Sequence, residues 1–248
     1  EQYWEELLKL NPLQATFQGD ARYNDQLPNT MSAKYRQQMH EFNARWLKQV
    51  KELGSNGLGG QDLLSYEIFV RDREDSLEAE KFPTWQQPIN QFYNFAVTLV
   101  QLGSGTGAQP FKTVKDYDNW LKRAAQAPVL FDQAIANSRE GVKNGVVQPR
   151  ALMVKVIPQL DALIKEKAED ALFWGPIKNF RADFSDADRK RLATQYKQLI
   201  ETQLMPAYRE MRTFVADEYL PKTRATSGLD ALPDGAAWYA FNARNSTT

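Results

Sequence analysis

The sequence lacks cysteine and contains a single histidine, His40, among its 248 residues. Without cysteine there can be neither a disulfide framework nor a thiolate metal site. His40 and Glu41 spell the first half of the metalloprotease signature HExxH, but Ala44 stands where the second histidine is required. A zinc site of that type needs two imidazoles one helical turn apart. The residues of this chain therefore predict no metal site, and His40 is expected to be an ordinary surface or packing residue.

Net charge is also absent, because thirty-one basic side chains balance thirty-one acidic ones. No overall field would draw the protein to nucleic acid or to an anionic membrane, so we expect no nucleic-acid partner. No apolar run approaches the roughly 20 residues that a membrane-spanning helix needs. The segment Glu1 to Leu10 lacks the basic-then-apolar pattern of a signal peptide, so we expect none within this chain.

Amphipathic helices account for most of the hydrophobic residues. The clearest period recurs at steps of three and four residues through Tyr35, Met39, Phe42, Trp46, Val50 and Leu53. No pair of alternating strands and no fixed-length repeat is present. The pattern predicts an all-α fold: an irregular multi-helix array of long antiparallel helices joined by short loops, forming a single domain over residues 1–248.

The stretch Gln126 to Leu163 predicts two helices joined by a glycine-containing turn, around which the other helices are expected to pack. Pro128 and Pro149 are each placed in a first helical turn, which tolerates the missing N–H. Gly141 and Gly145 are predicted to end the first helix. Pro158 should kink the second helix about one turn upstream.

Capping signals predict two further helices: Thr113 with Asp116 resembles a capping box, and Ser185 with Asp188 opens the other. Residues 85–102 contain a β-rich run, yet their apolar spacing fits a helical stripe better, so we predict a helix there. Pro206 is expected to bend or restart the helix that contains it.

Glycines 103, 105 and 107 follow an apolar run and so imitate a dinucleotide-binding loop. Such a loop works when a strand delivers the glycines to a helix N-terminus that binds the pyrophosphate. Here the preceding run is predicted to be helical and Gln109, Pro110 and Phe111 follow, so a nucleotide-binding enzyme is the weakest functional hypothesis.

Arg139 and Arg150 flank the turn between the two central helices. A guanidinium group there could bind a carboxylate ligand through paired hydrogen bonds. The alternative is structural, since the C-terminal end of a helix attracts a cation in any case. The sequence alone leaves both interpretations open.

Three separated segments resemble the bacterial domain-of-unknown-function family 885. The first, NPLQATFQGDARYNDQLPN, matches at Pro12, Ala15, Thr16, Gly19, Asp20, Tyr23, Leu27 and Pro28. The second, in the central stretch, matches at Pro128, Gln133, Arg139, Gly141, Gly145, Pro149, Arg150 and Gln159. The third, near the end, matches at Leu232, Pro233, Gly235, Tyr239 and the terminal threonines.

This resemblance implies an all-helical, zinc-dependent metallopeptidase, with many relatives being exported lipoproteins that are much longer than this chain. Their HExxH zinc helix would follow Thr248, so zinc is expected in a missing C-terminal half and not in these residues. The resemblance implies that this N-terminal half forms part of a peptide-binding cleft, is inactive alone, and has the C-terminal half as its partner. Arg139, Arg150 and Tyr239 are the predicted cleft residues. The implied location is periplasmic or membrane-anchored.

A non-enzymatic helical module that binds a peptide or a protein is the main alternative, in which the missing zinc motif is a genuine absence. The weaker third hypothesis is the nucleotide-binding enzyme with its glycine loop.

Overall fold

The computed structural model describes residues 1–247, and helices follow one another throughout this range. The α-helices are α1 (Gln2–Leu10), α2 (Pro12–Phe17), α3 (Ala33–Leu53), α4 (Gly60–Ala79), α5 (Phe95–Gly103), α6 (Val114–Ala124), α7 (Ala127–Asn144), α8 (Arg150–Met153), α9 (Val156–Leu163), α10 (Gly175–Lys178), α11 (Asp186–Leu199), α12 (Met205–Thr213) and α13 (Gly235–Ser246). Within residues 1–247 the only β feature is an isolated parallel bridge between Pro149 and Arg224. The predicted all-α multi-helix array is confirmed.

Shorter helical turns connect these elements. The 3₁₀ turns are Ala21–Tyr23, Thr84–Gln86, Ala168–Asp170, Leu172–Trp174, Leu220–Lys222 and Leu229–Ala231. Two π-helical segments, Ile200–Leu204 and Phe214–Tyr219, lie immediately before and after α12. No helix in residues 1–247 combines the length and the apolar character needed to cross a bilayer.

The chain divides into two compact units. The first comprises Glu1–Asn29 with Gln86–Thr226, and the second comprises Thr30–Trp85 with Ser227–Thr248. That residues 1–248 form a single domain stays a prediction.

Aromatic rings fill the core of the first unit. Phe131 and Tyr208 are buried with their ring centroids 4.8 Å apart, which joins α7 to α12. Phe173 packs edge-on against Tyr208 and stacks on Trp120 of α6. Because each such ring buries a large apolar area, these contacts contribute strongly to holding α6, α7 and α12 together.

The second unit is built from α3, α4 and α13. Ser32 caps α3 by accepting a hydrogen bond from the Tyr35 N–H, and Gly54 follows the last residue of the helix. Phe82 packs on two aromatic residues of α13, with ring centroids 5.7 Å from Trp238 and 5.2 Å from Phe241. Asp234, with a left-handed φ of 53°, immediately precedes this helix.

The prediction of a helix over residues 85–102 is only half right, since α5 begins at Phe95. The preceding residues form an irregular turn in which the Asn90 side-chain oxygen accepts hydrogen bonds from the N–H groups of Phe92 and Tyr93. Asn94 then caps α5 by accepting from the Ala96 N–H. Asparagine side chains that bond to nearby backbone compete with the helix, and here they override the apolar spacing.

In the central stretch, Gly145 ends α7 with a left-handed φ of 74° as predicted, whereas Gly141 lies inside the helix. Pro149 precedes the first helical residue in an extended conformation, one position earlier than predicted. The second predicted helix is broken between α8 and α9, upstream of Pro158, as its proline requires.

Pro206 was expected to bend or restart the helix that contains it; the backbone stays helical here, and its hydrogen-bonding pattern changes from π to α at Met205. Pro206 stands in the first turn of α12, and the preceding Ile200–Leu204 segment is π-helical. A proline cannot donate to the carbonyl one turn earlier, and the wider π turn accommodates the missing bond. The capping signals at Thr113 and Ser185 are also confirmed, as the starts of α6 and α11.

Candidate functional site

Arg139 lies on the exposed side of α7 and faces the second π-helical segment of the first unit. Its Nε and Nη2 atoms donate to the two carboxylate oxygens of Glu218, at 3.0 and 2.8 Å. The guanidinium carbon also lies 5.4 Å from the ring centroid of Phe214. The hydrogen bonds raise the pKa of Arg139 and lower the pKa of Glu218. Because both side chains are about half exposed, at 57% and 54%, this ion pair adds little to stability.

A groove of about 490 Å³ opens beside this pair. It is lined by Arg139, Val142, Phe214, Asp217, Glu218, Tyr219, Pro221 and Lys222. Two cationic and two anionic groups therefore line a surface that also contains an aromatic ring. Such a surface is suited to a ligand with both charged and apolar parts.

Arg150 reaches the same part of the chain from the start of α8. Its Nη1 donates to the Leu220 carbonyl at 3.1 Å, and its backbone N–H donates to the Arg224 carbonyl at 2.8 Å. Arg224 in turn donates from Nε to the carbonyl of Val147 at 3.1 Å. The linker between α7 and α8 is thus fastened to the segment that follows the π turn. The structure brings Arg139 and Arg150 together against residues 214–224.

Tyr239 lies on α13 in the second unit, and 65% of its surface is exposed. Its role in binding a substrate stays a prediction.

Sequence reasoning missed Glu218 and Phe214, which complete the surroundings of Arg139. Their four-residue spacing indicates a common helical face. The π-helical path that presents both of them to α7 left no signal in the sequence, because π turns have no reliable residue pattern.

The second unit contains a separate groove of about 650 Å³ between α3 and the end of α4, and His40 lines it. His40 Nδ1 lies 2.7 Å from a carboxylate oxygen of Glu80. Arg36 stacks over Trp85 at 4.0 Å from the ring centroid. His40 was expected to be a surface residue, and it is one, but its pairing with Glu80 across the groove could not be read from the sequence.

The metal-ligating side chains and the glycine loop are the remaining candidate features of the chain. Residues 1–247 contain no cluster of three histidine, cysteine, aspartate or glutamate side chains placed to hold a metal ion. The glycine loop at residues 103–107 follows the C-terminal end of α5 and does not open a helix. The geometry that binds a pyrophosphate is therefore missing from this loop.

These features describe a helical protein with a charged groove beside Arg139, and its fold is similar to that of a solved structure. The crystal structure of a protein from Colwellia psychrerythraea, described as a "putative lipoprotein", matches with a TM-score of 0.75 at 17% identity. The match covers 96% of this chain and 43% of that one, so the chain spans less than half the length of the solved protein.

A family model described as "Bacterial protein of unknown function (DUF885)" matches residues 12–248. The chain belongs to this family. None of the curated proteins has a sequence that matches it significantly.

Proposed function

We propose that this chain supplies part of the substrate cleft of a zinc-dependent peptidase of the cell envelope. Arg139 and Arg150 would bind a carboxylate of the peptide. Tyr239, in the second unit, is proposed independently as a substrate-binding residue. The observation that carries the proposal is the two-point hydrogen bonding between Arg139 and Glu218 at the edge of an open groove.

Glu218 occupies the position that a ligand carboxylate would take. A guanidinium group binds any carboxylate through the same paired geometry, so a peptide carboxylate can replace the internal one. The exchange costs little, because an exposed ion pair contributes at most about 1 kcal/mol. Lys222 adds a second cation to the lining, and Phe214 offers an apolar surface to a neighbouring side chain.

Zinc belongs to the proposal only through the family resemblance. Residues 1–247 provide one histidine and no three-ligand cluster, so they do not fit a catalytic zinc ion. The zinc ligands are therefore proposed to lie outside this sequence, in a C-terminal half that would be its partner, and no step of hydrolysis is assigned to these residues. The envelope location is supported by the lipoprotein description of the similar structure.

The test uses the whole product of the gene, with zinc content and peptide hydrolysis as separate measurements. Arg139→Ala, Arg150→Ala and Tyr239→Ala are each expected to lower kcat/KM for peptides with a free C-terminal carboxylate, the two arginine variants by about tenfold. For peptides with an amidated C-terminus, the same substitutions should lower kcat/KM much less. Glu218→Gln should lower KM, since it removes the internal competitor.

Arg181→Ala is the matched control. Arg181 makes a similar paired contact with Asp183, at 55% exposure, but does not line the groove. The control should leave kcat/KM unchanged. A gene product without stoichiometric zinc would refute the peptidase, and unchanged kinetics in all three variants would refute the cleft.

The second candidate is the non-enzymatic helical binding module. It is favoured by α4 of the second unit, where Leu64 and Ile68 are 48% and 57% exposed on one helical face. Exposed apolar residues at this spacing are typical of surfaces that bind another helix. Zinc-free protein that binds peptides without cleaving them would support this candidate over the peptidase.

A further inference from the structure

A second pocket of the first unit has no ionisable lining group. It has a volume of about 280 Å³ and is lined by Phe17, Thr98, Gln101, Leu102, Ser104, Thr106, Gly107 and Ala108. The sequence from Phe82 to Phe111 likewise contains no charged residue, although 25% of the chain is charged. The pocket is therefore suited to a neutral ligand, because it offers no counter-charge to an ion.

The loop that forms the pocket has a defined shape. Gly105 has a left-handed φ of +87°, and a Cβ atom on Gly107 would lie 2.3 Å from the Gln101 carbonyl oxygen. Ser104 Oγ donates to that same carbonyl at 2.9 Å and lies 2.9 Å from Thr106 Oγ1. Glycine at these two positions thus permits a close turn that presents two hydroxyl groups beside the end of α5.

The electrostatics of the loop oppose anions. It follows the C-terminal end of α5, where the last four carbonyl groups have no partner within the helix and the helix dipole is negative. This end repels phosphate and carboxylate groups and accepts hydrogen bonds from donors. A ligand rich in neutral hydroxyl groups supplies such donors. The Thr106 hydroxyl oxygen and the Gln101 side-chain amide can complement it, whereas the Ser104 hydroxyl is already bonded to the Gln101 carbonyl and to Thr106.

Phe17 supplies the apolar part of the pocket. It is the last residue of α2, and 57% of its surface is exposed beside these polar groups. A sugar ring presents hydroxyl groups at its edge and C–H groups on its faces, so it can pack a face on the phenyl ring while its edge bonds to the loop. The volume suits one such ring and is too small for an extended peptide.

We propose that this pocket binds a neutral sugar residue, with Phe17 under the ring and the loop of residues 104–107 at its edge. This site is separate from the Arg139 groove and does not depend on peptidase activity. Among the alternatives, a phosphate ligand is disfavoured by the helix end, and a peptide is disfavoured by the size of the pocket.

The experiment is an NMR titration of the 248-residue chain, labelled with ¹⁵N. The probes are N-acetylglucosamine and glucose, with glucuronate as the anionic analogue and tri-alanine as the peptide. We expect the neutral sugars to shift amide signals of residues 98–108, with a dissociation constant on the order of 1 mM. Glucuronate and tri-alanine should bind more weakly than either neutral sugar.

Phe17→Ala is expected to weaken sugar binding about fivefold, because it removes the stacking surface. Phe92→Ala is the matched control, since Phe92 is a 73% exposed phenylalanine of the same unit that does not line the pocket. Gln101→Ala tests the polar side with an exposed residue, and should also weaken binding. The proposal is overturned if neutral sugars cause no shift at about 100 mM, if Phe17→Ala and Gln101→Ala bind like the wild type, or if glucuronate or tri-alanine binds most tightly.

Discussion

The guanidinium group of Arg123 is fully buried and donates from Nη1 to the side-chain oxygen of Gln109 at 2.6 Å. Its other nitrogens donate to the backbone carbonyls of Tyr23 at 2.6 Å, Gln26 at 3.0 Å and Pro12 at 3.5 Å. Burial lowers the pKa of Arg123 to about 10. This one side chain therefore holds the first family-like segment of the sequence against α6.

Arg123→Met should destabilise the protein by about 3 kcal/mol, because it leaves several buried carbonyl groups without a donor. Urea unfolding followed by circular dichroism measures the change. Arg181→Met, which removes an exposed arginine, should alter the free energy of unfolding by less than about 0.5 kcal/mol. Equal stability of the two variants would show that the buried hydrogen bonds of Arg123 make no net contribution to the free energy of unfolding.

Two buried tyrosines allow a comparison of how a bonded and an unbonded hydroxyl group contribute to stability. Tyr208 donates from its hydroxyl to the Ala96 carbonyl at 2.6 Å, whereas the hydroxyl of Tyr196 has no hydrogen-bond partner among residues 1–247. Tyr208→Phe should cost about 1 kcal/mol or more, and Tyr196→Phe should be neutral or stabilising by up to about 1 kcal/mol. Chemical denaturation compares them, and the reverse order would contradict the assigned hydrogen bonding.

Alkaline pH should destabilise the protein. Burial raises the pKa of Tyr117, Tyr196, Tyr208 and Tyr219 above the ordinary value near 10. Above that pH the unfolded chain releases phenolic protons that the folded protein retains, so stability falls by up to about 1.4 kcal/mol per pH unit for each group. Arg123 acts in the opposite direction between pH 10 and 12.5, because its pKa is lowered on folding.

The four tyrosines outweigh the single arginine, so urea midpoints should decrease steadily from pH 9.5 to 11.5. In Tyr196→Phe the decrease should be shallower by the contribution of one group. A midpoint that stays constant across this range would contradict the pKa directions.

Gly141→Ala should destabilise the protein by more than about 2 kcal/mol, although alanine is the better helix former by about 1 kcal/mol. A Cβ atom there would lie 2.5 Å from the Val146 carbonyl oxygen and 2.7 Å from that of Gln86. Gly59→Ala is the control, since its Cβ would meet no atom within 4 Å. Thermal unfolding should separate the two variants clearly, and a stabilised Gly141→Ala would show that the backbone moves aside.

Local chemistry explains which predictions from the sequence succeeded. The starts of α6 and α11 follow from the side-chain oxygens of Thr113 and Ser185, which bond within three residues and need no tertiary context. Gly141 was misjudged because its small size serves a contact with Gln86, more than fifty residues earlier in the sequence. The partner of Arg139 was likewise hidden, because Glu218 lies on a different helix and reaches it through tertiary packing.

The π turn at Phe214–Tyr219 has a consequence for how this groove tolerates change in chain length. Such a turn carries one residue more than a regular turn, and removing it would rotate everything downstream by about 100° around the helix axis. Glu218 and the chain that meets Arg150 would then point away from α7. Point substitutions can alter the groove surface and leave it in place. Deletion of a single residue from the π turn would destroy this surface while leaving the composition of the helix almost unaltered.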